Sequence, residues 1–542
     1  MESLVQDVDW YALAPALVVA VGSLVVLLAD LLLPAEQRGV LRWLTLAVIV
    51  GAAALVVEQA GTARGTFCAA DSSGLLSCSY VADSVTRAFQ GIALAGAALV
   101  TLLPADTRGR PTGRLSGEYH FLLLASLAGA VAIAGARDLL TVVVALEVLS
   151  LPAFALIALA AERPDDAPAA DGRGAEGALK AFLFSVVALA VMVVGIALLY
   201  GATGTLHFER IAGQLVAGTA SGPVAAVGAA LTLAGLLFKV AAVPFHGWVP
   251  DSYAGAPVRV AAYLSVVSKA GGFAGLSVVL WYGLRPYGLA WGPVLAFIAA
   301  ATMTVGNLGA LRQTEPVRLL AWSSIAQSGF MLVPLAAAGV TSTAGQVSRD
   351  GAAATVAYLA VYAVLNLGAF AVVALVTSSR AAPVAPPSRV AAAVAQGGGS
   401  HAATRAVRPP APTRSAQTGV PDLASYRGLA RVAALPAVAL AFCLVGLAGL
   451  PPAVAGLVAK VVVFGAAVDA GLGWLAVVMA VNVVIGLAYY LRWAALLFAL
   501  PGALEPVRPH GPAVTLTSIA VVLAVVAAAA LSIWPEATLQ LL

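Results

Sequence analysis

The stretch LTLAGLLFKVAAVPFHGWVP, residues 231–250, places Lys239 inside an apolar segment and follows it five residues later with Pro244. A second stretch, CLVGLAGLPPAVAGLVAKVVVF at 443–464, places Lys460 eight residues after Pro452. Proline interrupts a helix because it has no backbone N–H, and a broken helix at membrane depth needs water or protein partners for its freed peptide groups. Both stretches therefore predict an interrupted transmembrane helix with a lysine beside a hydrated pocket.

The composition is that of a helical membrane protein. Of 542 residues, 61% are hydrophobic and 10% are charged, and the mean hydropathy is +0.97. The apolar runs are continuous and lack the period-two alternation of barrel strands. We predict an all-α polytopic membrane protein with about 14 transmembrane helices. The predicted spans are 12–33, 40–58, 82–103, 117–136, 138–161, 177–202, 223–243, 256–283, 291–310, 317–340, 353–377, 432–450 with 453–470, 474–499 and 513–534.

The arginines indicate the orientation of these spans. Of the 25 arginines, 19 fall in connections on one side and six on the other side or its flanks. Because basic residues accumulate on the cytoplasmic side, both termini are expected outside. Acidic residues without a basic one precede the first span, which does not fit a cleavable signal peptide. The pI near 9.0 follows from this topology, so we expect the lipid bilayer and no nucleic acid as a partner.

One segment differs in composition from the rest of the chain. Residues 378–425 are rich in Pro, Ala, Gly and Arg and have no apolar period, which predicts a disordered cytoplasmic loop. Residues 1–542 otherwise form a single integral membrane unit. Cys68 and Cys78 share one predicted external loop, where a disulfide and two free thiols are both open, and Cys443 is expected to pack in a span.

All four lysines of the chain, Lys180, Lys239, Lys269 and Lys460, lie in apolar segments. An ammonium at the centre of a membrane helix costs about 2.5–3.5 kcal/mol on insertion scales. Desolvation can bring the proton affinity of a lysine close to neutrality, so that a neighbouring charge decides whether the proton stays. With Glu147, ten residues into its own span, these lysines predict a route for protons through the bilayer.

Neighbouring residues extend this hypothesis. Lys180 is the cation nearest in sequence to Glu147, and we expect it to keep the carboxylate charged. His246 follows the break in the seventh span and either passes protons to cytoplasmic water or is an interface residue. Four uncharged polar residues within spans could line a water wire or join helices: Ser323, Ser324, Gln327 and Asn366.

Structural roles remain open for each charged residue. Glu147 could form a structural ion pair, Lys180 or Lys239 could extend to the membrane interface, and Lys269 could tie two helices together. Lys460 is the hardest of the four to bring to an interface. No cysteine or histidine spacing fits zinc, haem or an iron–sulfur cluster, and no nucleotide loop or catalytic triad is present in the sequence.

These features together resemble the antiporter-like membrane subunits of respiratory complex I, the NADH–quinone oxidoreductase of bacteria. The matching segments cover the fifth to thirteenth predicted spans. They read ALEVLSLPAFALIALA, GALKAFLFSVVALAVMVVGIALLYGATGTLHF, LLFKVAAVPFHGWVPDSYAGAPVRVAAYLSVVSKAGG, NLGALRQTEPVRLLAWSSIAQSGFML and DLASYRGLARVAALPAVALAFCLVGLAGLPPAVAGLVAKVVVF.

The resemblance implies two inverted five-helix repeats with broken helices 7 and 12 and a central polar axis. It assigns proton translocation to Glu147, Lys180, Lys239, His246, Lys269 and Lys460. It implies no cofactor or metal on this chain, because NADH, FMN, the iron–sulfur clusters and quinone are bound by partner subunits. The partners that the resemblance implies are the other membrane subunits of complex I, in the inner (plasma) membrane of a bacterium.

The expected function is therefore proton translocation as a subunit of a respiratory NADH–quinone oxidoreductase, with no redox site on this chain. The alternatives are a subunit of a multi-subunit Na⁺/H⁺ antiporter, a subunit of a membrane-bound hydrogenase, and a structural scaffold that carries no protons. A small-molecule transporter is less favoured, because the sequence has no substrate-sized polar cluster beyond the charged axis.

Overall fold

The structure is a computed structural model that describes residues 8–70, 76–104, 116–159, 172–219, 222–342, 349–380, 422–500 and 513–534. Its helices are α1 (Trp10–Leu32), α2 (Val40–Glu58), α3 (Ser84–Thr101), α4 (Ser116–Ala134), α5 (Leu139–Ala158), α6 (Arg173–Thr203), α7 (Phe208–Val216), α8 (Pro223–Lys239), α9 (Val249–Gly255), α10 (Val258–Gly283), α11 (Gly288–Leu311), α12 (Pro316–Val340), α13 (Arg349–Arg380), α14 (Leu429–Val432), α15 (Ala434–Ala448), α16 (Val454–Asp469), α17 (Gly473–Phe498) and α18 (Ala513–Ile533). Strands β1 (Arg64–Ala70) and β2 (Leu76–Ala82) form a hairpin. The predicted loop at 378–425 lies almost wholly outside the described residues.

Helices coincide with all the predicted apolar runs, but fewer of them qualify as complete spans. In the described part of the chain, 11 helices are long and apolar enough to cross a membrane, against the fourteen predicted. The difference lies in α3, whose first turns carry Thr86, Arg87 and Gln90, and in the two interrupted spans. There α8 has 17 residues and α15 has 15, because each helix ends at its break.

Three helices form the centre of the bundle. Nearly every residue in the apolar windows of α10, α12 and α13 is buried, whereas most residues in those of α1, α2, α6 and α18 are at least partly exposed. Apolar side chains on these outer helices suit contact with lipid, which is as apolar as they are. Polar side chains on α10, α12 and α13 are therefore enclosed by protein and must find partners there.

The expected external loop with two cysteines is a short β-hairpin, within an otherwise helical membrane protein in the part of the chain that the structure describes. Cys68 and Cys78 face each other in the antiparallel register and form a disulfide. Arg210 of α7 donates to Ala69 O at 2.6 Å and to Ser77 Oγ at 3.0 Å. These two hydrogen bonds attach α7 to the hairpin. Cys443 is buried in α15, in agreement with the packing role predicted for it.

A buried ion pair attaches the hairpin to the bundle. Asp83, between β2 and α3, accepts from the Thr86 amide at 2.9 Å and from Arg137 at 2.5 Å, and the Tyr282 hydroxyl donates to it at 3.0 Å. Burial opposes ionisation of Asp83, but Arg137 and Thr86 hold the pKa of its carboxyl below its usual range. One carboxylate thus joins the hairpin to α3, to α10 and to the turn before α5.

Both predicted interruptions are present, and at each of them a freed backbone amide has a hydrogen-bond partner. After α8, Ala241 takes a positive φ of 59°, and the Val243 amide donates to Thr302 Oγ1 on α11 at 3.0 Å. After α15, Gly449 takes φ +86°, and the Leu450 amide donates to Val445 O at 3.0 Å. The breaks are therefore built into the fold by side-chain and backbone hydrogen bonds.

A close backbone contact holds the second break in shape. A Cβ on Gly456 of α16 would lie 1.9 Å from Gly446 O of α15, a separation that no side chain tolerates. We expect Gly456→Ala to force the two half-helices apart and to destabilise the protein by about 1–3 kcal/mol, the usual cost of overpacking. Thermal unfolding in detergent and the yield of folded protein in membranes measure this effect. Gly465→Ala on the same helix is the control, because nothing lies within 4 Å of its added Cβ; equal stability of the two variants would contradict the prediction.

The ion pair of Asp83 leads to a prediction about how stability depends on pH. Because the pKa of Asp83 is lower in the folded state, its contribution to stability is complete above about pH 4, the unfolded value, and is lost as the pH falls through the folded value. We expect Asp83→Asn to lower the unfolding free energy by about 1.5–3 kcal/mol at pH 7, as for hydrogen bonds to charged groups. The difference from the wild type should shrink below about pH 4. Melting curves at pH 7 and below pH 4 test this, and a difference that stays constant with pH would refute it.

Candidate functional site

Lys239 is the last residue of α8, where the first interrupted span breaks. Its Nζ donates to Ser150 Oγ of α5 at 2.5 Å and to Ser185 Oγ of α6 at 3.0 Å. The rings of Phe154 and Phe238 flank the ammonium, with their centroids 5.4 and 5.1 Å from Nζ. The end of a helix carries partial negative charge, so this position also favours a cation.

Glu147 lies one turn before Ser150 on α5, and its carboxylate is close enough for a Coulombic interaction with Lys239. The expected pair of Glu147 with Lys180 is absent from this structure. Ser150 and Ser185 meet at one ammonium and so lie at one depth. Because α5 and α6 run in opposite directions, Glu147 and Lys180 lie on opposite sides of that depth, separated by roughly 12 Å of helix axis at 1.5 Å per residue.

Lys180 instead contacts two acids near the beginning of α6. Its Nζ lies 2.5 Å from Glu176 Oε1 and 2.7 Å from Asp251 Oδ2. Asp251, in the short helix α9 between the spans, also accepts from Arg318 of α12 at 2.9 Å. Burial opposes ionisation of Asp251, but Lys180 and Arg318 hold the pKa of its carboxyl below its usual range.

Lys269 lies in the middle of α10, the most enclosed helix, and is only 3% exposed. Its Nζ donates to Ser324 O at 2.5 Å and to Ser328 Oγ at 2.6 Å, both on α12. The Tyr362 hydroxyl of α13 donates to Ser324 Oγ at 2.9 Å, and its ring centroid is 5.4 Å from the ammonium. Lys269 therefore joins the three central helices through neutral oxygens.

Lys460 is on α16, after the second break, yet its ammonium reaches back across the break. Nζ donates to Leu447 O at 2.9 Å and to Ala448 O at 2.7 Å, the last carbonyls of α15. The Phe330 ring centroid lies 5.5 Å away. Lys239 and Lys460 thus both place a cation at the C-terminal end of the first half-helix, although their order relative to proline differs in the sequence.

Helix α12 connects the surroundings of Lys269 to those of Lys460. Gln327, one turn after Ser324, donates to Leu447 O at 3.3 Å, the same carbonyl that Lys460 binds. Its side chain also accepts from the Tyr358 hydroxyl at 2.6 Å and donates to the Tyr490 hydroxyl at 3.2 Å, and Tyr490 in turn contacts Ser323. Two hydrogen-bonded groups, one at each lysine, therefore meet on the same stretch of α12.

The other predicted residues have separate places. His246 lies between α8 and α9 with its ring 5.7 Å from that of Trp322 on α12. Asn366 donates to Ser265 Oγ at 2.8 Å and joins α13 to α10, in keeping with a helix–helix hydrogen bond. Four residues that contact the axis were not predicted: Asp251, Tyr358, Tyr362 and Tyr490. Asp251, in WVPDSYAG, is a carboxylate next to apolar spans, and its position in the sequence could have indicated a functional role. The three tyrosines are among thirteen in the chain, and nothing in the sequence distinguishes them from the others.

The partners of the buried lysines determine what this arrangement can do. Lys239, Lys269 and Lys460 bind hydroxyl and carbonyl oxygens, none of which carries a formal charge. Because these acceptors are neutral, the loss of a proton leaves no orphaned anion among them. The hydroxyls beside Lys239 and Lys269 can also donate to a neutral amine, whereas the carbonyls beside Lys460 only accept. The site is suited to holding and releasing protons. Among the described residues, no three His, Cys, Asp or Glu side chains group as metal ligands would.

Known proteins match this chain over most of its length. The family model "NADH:quinone oxidoreductase/Mrp antiporter, TM" matches residues 136–385 and 412–486. NADH-quinone oxidoreductase subunit N 2 of Streptomyces griseus is 48% identical over 510 residues, which cover 92% of this chain and 84% of the relative. Subunit N of Salinispora tropica is 42% identical over 511 residues, which cover 92% and 86%.

Solved structures show the same architecture. A chain of respiratory complex I from Thermus thermophilus with bound aureothin superposes with a TM-score of 0.71 at 30% identity, over 97% of this chain and 98% of that one. A chain of the Mrp complex from Dietzia superposes with a TM-score of 0.76 over 98% and 96%, but at 21% identity it shows the fold alone.

Proposed function

The chain belongs to the NADH:quinone oxidoreductase/Mrp antiporter membrane-subunit family, within it to subunit N of NADH-quinone oxidoreductase, and we propose that it translocates protons in that complex. The observation that carries the proposal is the set of buried lysines held by neutral oxygens. A multi-pass protein that needed these cations only for packing would gain more from apolar residues, since a buried charge is costly.

The proposed path begins with Glu147 and Lys239 and continues through Lys269 to Lys460. The polar groups of α12 support the second step, because Ser324 and Ser328 serve Lys269 and Gln327 shares a carbonyl with Lys460. Quinone reduction on partner subunits would change the charge at one end and drive the transfer. Lys180 and His246 lie beside the first break, where protons would exchange with cytoplasmic water.

We also propose the finer architecture. The eleven complete spans, with α3 and the two interrupted spans, give fourteen crossings, arranged as two inverted five-helix repeats with both termini on the external side. The other membrane subunits of complex I are the proposed partners. NADH, FMN, the iron–sulfur clusters and quinone would be bound by partner subunits. The 48% identity to a subunit N favours this assignment over a Na⁺/H⁺ antiporter or hydrogenase subunit.

Substitution of Lys239 and Lys460, the lysines at the two helix breaks, tests the proposal. In membrane vesicles that contain the assembled complex, we expect Lys239→Ala and Lys460→Ala each to reduce NADH–quinone turnover and proton pumping close to background. Each removes a group that binds and releases the transferred proton. Lys239→Arg and Lys460→Arg keep a cation that cannot deprotonate in proteins, so they should also fail to pump.

The control is Arg64→Ala, which removes an exposed cation paired with Asp9 at 3.2 Å near the hairpin. Such surface pairs contribute about 0–1 kcal/mol, and we expect normal pumping. Wild-type pumping per NADH in both alanine variants would overturn the proton path. Full activity of the arginine variants, with inactive alanine variants, would instead show that the two lysines act as structural cations.

A further inference from the structure

Asp251 is shared by two cations that belong to different parts of the molecule. Its Oδ2 lies 2.7 Å from Lys180 Nζ of α6, and its Oδ1 lies 2.9 Å from Arg318 of α12. With both oxygens engaged, the carboxylate is a bridge between two helices. Neither contact was expected from the sequence, and the proposed path through Glu147, Lys239, Lys269 and Lys460 does not use Asp251.

The helix that carries Asp251, α9, is in close contact with the first turns of α6. Ser252 Oγ donates to Gly177 O at 2.9 Å, and a Cβ at Gly255 would lie 2.3 Å from Arg173 O. A Cβ at Gly177 would lie 2.9 Å from Asp251 O itself. Because α9 and the first turns of α6 touch backbone to backbone, Asp251 cannot follow either cation by moving α9 alone.

Arg318 carries the interaction to the groups that bind Lys269. It precedes Ser324 by six residues, or about 9 Å of helix axis. Ser324 O and Ser328 Oγ are the two acceptors of Lys269. A change in the attraction between Asp251 and Arg318 therefore acts on the helix that holds Lys269 in its place.

Two cations that share one carboxylate each feel a weaker attraction than one cation alone, because they repel each other. When the Lys180 ammonium leaves Asp251, the whole charge of Asp251 acts on Arg318. We propose that Asp251 is a positioning residue that transmits the presence of the Lys180 charge to α12 and, through α12, to Lys269. This inference rests on the proposed function, since it assigns Asp251 a part in the same proton transfer.

The test uses membrane vesicles with the assembled complex, and turnover and pumping are normalised to the amount of complex. Asp251→Asn keeps the size of the side chain and removes its charge, and we expect a severalfold loss of both activities. Asp251→Glu should keep most of the activity. In a Lys180→Met background, Asp251→Asn should add little further loss, because a residue that acts through Lys180 has nothing left to transmit.

Glu315→Gln is the matched control. Glu315 of α12 pairs with Arg173 of α6 at 3.2 Å, and its side chain is 28% exposed, as is that of Asp251. It ties the same two helices without touching Lys180, so we expect wild-type activity. Three results would each overturn the proposal: wild-type activity of Asp251→Asn, equal losses from Asp251→Asn with and without Lys180, or an equal loss in Glu315→Gln.

Two further variants allow the result to be interpreted if the complex assembles poorly or if the proposed function is wrong. If Asp251→Asn reduces the amount of assembled complex too far, it is combined with Arg318→Gln, which removes the cation left unpaired. The effect of Lys180→Met is then measured in this double variant. Lys239→Ala is measured in the same series. Normal pumping by Lys239→Ala means that the proposed function itself has failed. A loss in Lys239→Ala beside normal Asp251→Asn means that only the role of Asp251 has failed.

Discussion

The structure depends on one constraint, that an ammonium inside a bilayer protein must be surrounded by oxygen atoms supplied by the protein. Lys269 shows it most clearly, since it is almost completely buried and its acceptors come from the neighbouring helix α12. Helices that supply such acceptors cannot slide or rotate freely against one another. The need to solvate Lys269 therefore fixes how α10, α12 and α13 pack, and the outer helices pack around them.

The helix breaks meet the same need for the other two lysines. Carbonyls inside a helix already accept an intrahelical hydrogen bond, whereas the last carbonyls of a helix have no intrahelical donor and are free for a cation. The break after α15 exposes Leu447 O and Ala448 O, and Lys460 binds both. The break after α8 ends that helix at Lys239, whose ammonium reaches hydroxyls of α5 and α6. Proline in these spans thus creates sites for cations instead of merely bending the chain.

The sequence was sufficient to predict the apolar runs, the two breaks and the position of the four lysines in apolar helices, because hydropathy and proline act locally. It was not sufficient to predict partners. Glu147 and Lys180 are neighbours along the chain of spans, yet the antiparallel directions of α5 and α6 place them at different depths, and Asp251 takes Lys180 instead. The tyrosines that serve α12 were missed for the same reason, since only tertiary packing brings Tyr358, Tyr362 and Tyr490 there.

The chemistry of the partners separates the lysines into two kinds. Lys180 faces the carboxylates of Glu176 and Asp251, which favour its charged form and are themselves partly exposed to solvent. Lys239, Lys269 and Lys460 have neutral acceptors, so the free-energy difference between their charged and neutral forms is left to burial and to distant charges. A group in that position responds to a change in charge elsewhere, whereas a group locked to a carboxylate resists it. The lysines with neutral acceptors thus lie inside the bundle and the lysine with carboxylate partners lies at its edge, an arrangement that suits the proposed transfer of charge.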